Sequence, residues 1–174
     1  MKKIIISIAV LMLIFIGSGC DKETLMTEEP MVNFKSAEMK SIPITADFYA
    51  VTSTWIPDGL AYSGNLGGNF SHLGKIDFEK STFERTGLEI LGPYTVRWEM
   101  FGEVVAADGD ALHYTLWGIM DQEKNEYTST VTYSGGTGRF ENASGYLDVT
   151  GYVDESHVLW MKGDGLLSNV GSSK

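Results

Sequence analysis

The sequence predicts an all-β fold, a single antiparallel up-and-down barrel of about eight strands, and three observations predict it. Apolar and polar residues alternate with a period of two in segment after segment, turn-forming residues separate those segments, and nothing between them resembles a βαβ crossover. Composition agrees: 20 Gly against 4 Pro, with 43% hydrophobic and 11% aromatic residues in 174, suits one globular domain of short strands and tight turns. With 13 Lys and Arg against 23 Asp and Glu, the net charge is −10, which disfavours any activity based on neutralising phosphates. No nucleic-acid partner is expected.

The first element is not part of the barrel. Lys2 and Lys3 precede an apolar run over residues 4–16, broken only by Ser7, which is too short to span a bilayer core needing about 20 apolar residues. It reads as the h-region of a signal peptide. Gly17, Ser18 and Gly19 follow, and then Cys20, the only cysteine in the chain. Ser18-Gly19-Cys20 resembles a bacterial lipobox, although Gly17 stands where Leu is usual. The resemblance implies cleavage after residue 19, acylation of Cys20 and a cell-envelope protein held to a membrane by its lipid. Several acyl chains give the firm anchor that one chain does not. A single cysteine also excludes an intrachain disulfide, so the domain must be held by its core alone.

Residues 20–40 are polar and charged, with Glu23, Glu28, Glu29 and Pro30, and read as an acidic tether. Asp21 resembles the inner-membrane retention signal of one lipoprotein-sorting system, while acids just beyond the cysteine resemble surface-export signals in others. Which membrane is meant stays open. The predicted organisation is therefore signal peptide 1–19, tether 20–40 and barrel 41–174.

Within the barrel, Ile44, Ala46, Phe48 and Ala50 alternate with Thr45, Asp47 and Tyr49 as one half-buried strand. The Gly- and Asn-rich passage 58–69 reads as a connection, and 72–83 as a second extended segment, with Ile76 and Phe78 opposite Asp77 and Glu79. Residues 94–107 place Val96, Trp98 and Met100 on one face and Arg97, Glu99 and Phe101 on the other. Asp108-Gly109 then supplies a hairpin turn, expected to be a two-residue type I′ turn, into 110–120. Segments 127–133, 140–153 and 157–167 complete the series. Left open, such a sheet would have two bare edges; closing it satisfies their backbone groups and creates an interior.

Gly135-Gly136-Thr137-Gly138-Arg139-Phe140-Glu141-Asn142-Ala143-Ser144-Gly145 resembles the GGTGxFxxAxG signature of allene oxide cyclase-like and dirigent-like barrels. Residues 71–75 and 106–110 are similar to segments of bacterial members of that group, so the resemblance covers roughly residues 41–167. It implies an eight-stranded calycin-like barrel, often with an apolar cavity, and no particular chemistry, because one fold hosts many functions. No catalytic position is carried over. The glycines suit a tight turn with positive φ and a bulge into the next strand, with Phe140 and Ala143 packing inward.

The search for chemistry is negative. Glu141 stands where a dinucleotide loop needs its third Gly, and Ile119 where a calcium loop beginning at Asp108 needs Glu. His72, His113 and His157 lack metal-ligand spacing, and Ser134 lacks a nucleophile-elbow context, so neither a metal nor a cofactor is expected. Glu99, between Trp98 and Met100, could serve as an acid or base, but pairing with Arg97 on the exterior explains it at lower cost. Trp98, Tyr114 and Trp160 fall on the more apolar faces of their strands, as candidates to line a cavity or to fill it as core. The reading favoured is a non-enzymatic binder of a small apolar or amphipathic molecule. An isomerase or cyclase acting on a hydrophobic substrate, and a filled barrel offering loops such as 58–69 to a protein partner, are the alternatives.

Overall fold

A computed structural model describes residues 41–55 and 60–171 of the chain. The signal segment, Cys20 and the tether lie outside the described residues. The strands are β1 (Ser41–Trp55), β2 (Ala61–Phe70), the two-residue β3 (Gly74–Lys75), β4 (Thr82–Ile90), β5 (Thr95–Val105), β6 (Ala111–Asp121), β7 (Glu126–Gly136), β8 (Ser144–Val153) and β9 (Val158–Ser168), with a short 3₁₀ turn at Gly138–Phe140. All pairings are antiparallel. β1 pairs with β9 on one side and β2 on the other, and the remaining strands follow in the order β9-β8-β7-β6-β5-β4-β2, so the sheet closes on itself. Eight strands make the ring; β3 pairs only with the end of β2. Closure gives every strand of the ring two neighbours and removes the free edges.

The alternation decides which face turns inward. On β5, Val96, Trp98 and Met100 are buried while Arg97, Glu99 and Phe101 are exposed. On β1, Ile44, Ala46 and Ala50 are buried and Phe48 packs against the core. The exterior carries cross-strand ion pairs such as Arg97 with Glu89, at 2.7 Å; Glu99 lies exposed beside this pair. Ala37–Lys174 forms one compact unit with its own core and closed sheet, which meets the physical requirement for folding independently. Among the described residues, no helix is long and apolar enough to cross a membrane.

Three sequence expectations are corrected. The passage expected to connect strands, 58–69, supplies β2, whose Leu66 and Phe70 face the core. Glycine here serves close packing: a methyl group at Gly64 would sit 2.1 Å from the Val51 carbonyl and within 2.8 Å of the Phe83 ring. Of 72–83, only Gly74–Lys75 and the start of β4 are strand, because residues 78–80 turn and Ser81 plugs the wall, its buried hydroxyl accepting from the Val105 amide at 2.9 Å. The Asp108-Gly109 hairpin stands, but as a three-residue loop. Ala106 N donates to Asp110 O and Gly109 N to Ala106 O, and only Gly109 has positive φ, at 94°. That is a type I turn with a glycine bulge; Asp108 keeps negative φ, with its carboxylate turned to other partners.

One end of the barrel is sealed. Phe140, Leu112, Leu167 and Ala106 are completely buried there, and Ala143 nearly so. The 135–145 segment builds this seal: Gly135 and Gly138 take φ of 82° and 56°, turning the chain so that Phe140 drops inward. Thr137 exchanges hydrogen bonds with Ala111, its amide donating to the carbonyl at 2.8 Å and its Oγ1 accepting from the amide at 2.9 Å. Arg139 clamps the neighbouring hairpin, its guanidinium meeting Asp108 and, at 3.2 Å, Asp110. Gly138 has to be glycine twice over, since a methyl group there would lie 1.8 Å from Asp110 Oδ1. On the strands either side of this turn, Gly136 and Gly145 let the neighbouring strands approach closely. The segment and the Asp108-Gly109-Asp110 turn, far apart in sequence, thus form one structural device.

Candidate functional site

Among the described residues the opposite end is open. The β4–β5, β6–β7 and β8–β9 connections lie at this end, and beneath it is a cavity of about 460 Å³, within the range of roughly 300–1,000 Å³ typical of small-molecule sites. The walls are mainly apolar. Phe70, Ile76, Val104, Tyr114 and Tyr133 surround the deep part, Met100, Leu116, Val131 and Met161 the middle, and Trp55, Leu60, Gln122, Asn125 and His157 the rim. Tyr114 and Tyr133 are almost wholly buried; burial pushes both hydroxyls well above the ordinary phenol range, so they stay neutral. Tyr114 donates to the Thr82 carbonyl at 3.1 Å, and Phe70 meets Tyr133 edge-on at 5.9 Å.

The sequence-derived candidates divide. Trp98 and Tyr114 point into the cavity, where alternation places them. Trp160 does not: it lies outside the barrel, 39% exposed, between the lining residues Leu159 and Met161. This corrects its expected place on the cavity wall. Its ring leans on Tyr49 at 5.2 Å, and its Nε1 donates to Asp154 at 2.8 Å, holding that carboxyl below the usual range. The three histidines are dispersed. His72 approaches the Pro43 carbonyl, His113 pairs with Glu103 across the exterior and His157 stands on the rim. Among the described residues no group of His, Cys, Asp and Glu is arranged to hold a metal ion.

One feature of the wall was not read from the sequence. Trp98, Gly118 and Ser129 stand side by side on β5, β6 and β7, all in one cross-strand row. Gly118 leaves a notch in that row, and the Tyr127 phenol occupies it: a methyl group at Gly118 would come within 2.8 Å of the hydroxyl and 3.0 Å of Ser129 Cβ. Three polar groups therefore meet on an apolar wall. Trp98 Nε1 and Ser129 Oγ are buried and, among the described residues, make no hydrogen bond. Both lie against the Tyr127 hydroxyl, short of a well-formed hydrogen bond. Burial pushes that hydroxyl up to about 12, and the hydrogen-bonding pull of Ser129 and Trp98 on it opposes the shift. The Tyr127 and Trp98 rings lie 6.1 Å apart. Only the register between three strands shows this convergence.

No family model, no curated protein and no solved structure matches the chain.

Proposed function

We propose that this protein is a lipid-anchored component of the bacterial cell envelope whose barrel binds a small apolar or amphipathic molecule. The observation that carries the reading is the mainly apolar cavity, closed below by the Phe140 seal and open above. Burying a ligand against such walls stabilises it by roughly 25 cal/mol for each Å² of apolar surface removed from water. β1 enters the barrel at the sealed end, so the mouth lies at the end opposite the strand's N-terminal attachment. The allene oxide cyclase-like and dirigent-like resemblance of 135–145 accords with a cavity-bearing barrel. Binding is favoured over catalysis because the cavity is walled by neutral tyrosines and apolar side chains.

Native mass spectrometry of Ala37–Lys174, purified without detergent and followed by solvent extraction, tests the binding. A reproducible added mass that disappears on extraction is the expected result; an empty protein that also excludes apolar dyes overturns the reading. The anchor is tested separately. Cys20→Ser should release the full chain from the membrane fraction and abolish incorporation of labelled fatty acid, whereas unchanged labelling would rule out lipidation at this residue.

A further inference from the structure

The described connections at the mouth end are chemically unlike. Asp121, Glu123, Lys124 and Glu126 mark the β6–β7 turn, and Asp154 and Glu155 the β8–β9 turn, all suited to water. The β4–β5 connection instead runs Ile90-Leu91-Gly92-Pro93-Tyr94-Thr95 without a charge, and its large side chains stand in solvent: Ile90 is 74% exposed, Tyr94 54% and Leu91 48%. This lip is firmly held. The Leu91 and Gly92 amides donate to the Thr95 carbonyl at 2.9 and 3.2 Å, and the Gln122 amide donates to the Tyr94 carbonyl at 2.8 Å, tying the lip to the next turn. A well-fixed backbone thus displays apolar side chains that contribute little to the fold, and apolar surface gathered in one exposed place marks a contact site. Leu88, also exposed, and Ile90 lie opposite Trp98 and Val96 on the cavity-facing side of the wall, so the lip continues toward the cavity lining.

What the lip meets follows from its size and from the chain that precedes the barrel. A stable protein–protein interface takes roughly 800 Å² from each partner, more than one short turn presents. A bilayer needs far less, because a chain already held at the membrane is made firm by a second, weak apolar contact. The anchor expected at Cys20 is within reach of this arrangement. Fully extended, the chain from Cys20 to Ser41 spans about 70 Å, whereas the path along β1 from the sealed end to the mouth is about 46 Å. The mouth can therefore face the membrane that holds the chain. With 23 acidic residues against 13 basic ones, and none of either kind on the lip, the attraction is apolar and not electrostatic. Tyr94, and Trp55 at the rim, half exposed, have the amphipathic rings enriched at the level of lipid headgroups.

We propose that the β4–β5 lip, Ile90 to Tyr94, inserts into the surface of the bilayer to which the chain is tethered, setting the cavity mouth beside the lipid. An apolar ligand then enters or leaves the barrel without crossing water. The inference rests on the anchored-barrel reading and adds the surface through which the barrel meets its membrane.

The test holds residues 21–174 on phosphatidylcholine vesicles through an N-terminal hexahistidine and a nickel-chelating lipid, which replaces acylation. That chain has no cysteine, so Leu91→Cys, Glu123→Cys and Glu141→Cys each place one nitrobenzoxadiazole label at an exposed position: on the apolar lip, on a charged turn of the mouth and at the sealed end. On the vesicles the label at position 91 is expected to brighten severalfold, to shift to the blue and to be quenched by spin-labelled lipid, while the other two emit as they do in solution. Adding Ile90→Glu should remove most of that gain. A label at position 91 that stays in water on the vesicles overturns the proposal, and so does an equal response of all three labels, the mark of unspecific adsorption. A shift that arises without vesicles and grows with protein concentration overturns it in favour of a second copy of the chain. The nickel lipid supplies the tether and the readout needs no ligand, so an unacylated Cys20 or an empty cavity leaves this result unchanged, and the readings fail separately.

Discussion

The two ends of the barrel use buried polar groups in opposite ways. At the sealed end, Arg139, Asp108, Asp110 and Thr137 hold one another and the backbone, and the geometry is set by glycines at positive φ. In the mouth half, Trp98 Nε1 and Ser129 Oγ are buried around the Tyr127 phenol without a well-formed hydrogen bond, and the only glycine in their row serves to make room for that phenol. Polar groups that find partners within the chain report on how the barrel is closed. Residues 135–145 lie at the seal, away from the mouth, so they bear on closure of the barrel and not on its cavity.

The largest expected effect breaks the seal. Phe140 is fully buried beneath the cavity floor, so Phe140→Ala should cost about 3–5 kcal/mol in denaturant unfolding. Trp98→Phe, a ring-for-ring change in the mouth half, should cost far less stability than Phe140→Ala. Equal losses at the two positions would erase the distinction between the two ends.

Next in size is Gly118→Val, which fills the notch. Overpacking of this kind costs about 1–3 kcal/mol, and the Tyr127 hydroxyl has to leave the row. The variant should show an altered tyrosine environment in near-ultraviolet circular dichroism. An unchanged signal would show that the phenol does not depend on the notch.

How much of this was legible in the sequence depends on the parity of each strand. On β5 the inward face is apolar and the outward face carries Arg97 and Glu99, so Trp98 is placed correctly by alternation alone. On β9 the run Val158-Leu159-Trp160-Met161 is apolar on both faces and conceals the parity. Lys162 and Asp164 share the face of Trp160 and mark it as external, a signal that begins only where the apolar run ends. β2 was concealed by its glycines, which look like a loop until their close contacts with β1 and Phe83 are known. The Trp98–Gly118–Ser129 row depends on register across three strands, and a shift of one residue would turn Ser129 outward. The sequence's clearest chemical mark, Cys20, falls outside the described residues.

A smaller effect tests the clamp through pH. The Arg139 guanidinium beside Asp108 holds its carboxyl below the usual range. A carboxyl depressed in the folded state contributes stability that is fully present above its unfolded value of about 3.9 and is lost as pH falls through the lower folded value. Acid unfolding should therefore be less steep in Arg139→Met than in the unsubstituted protein, while the two should differ by a constant amount above pH about 5. Identical acid limbs would mean that the clamp holds by shape alone.

The smallest change is the most discriminating because its sign is at stake. Thr137→Val removes a hydroxyl whose partner, the Ala111 amide, is left buried, and should destabilise by about 1 kcal/mol. Ser129→Ala removes a buried hydroxyl with no partner among the described residues, so empty protein should lose nothing and gain up to about 1 kcal/mol. Thermal unfolding of both variants reads the two signs together. A Ser129→Ala variant that is less stable when empty would show that the hydroxyl serves the fold as Thr137 does, and the two ends of the barrel would then differ in geometry alone.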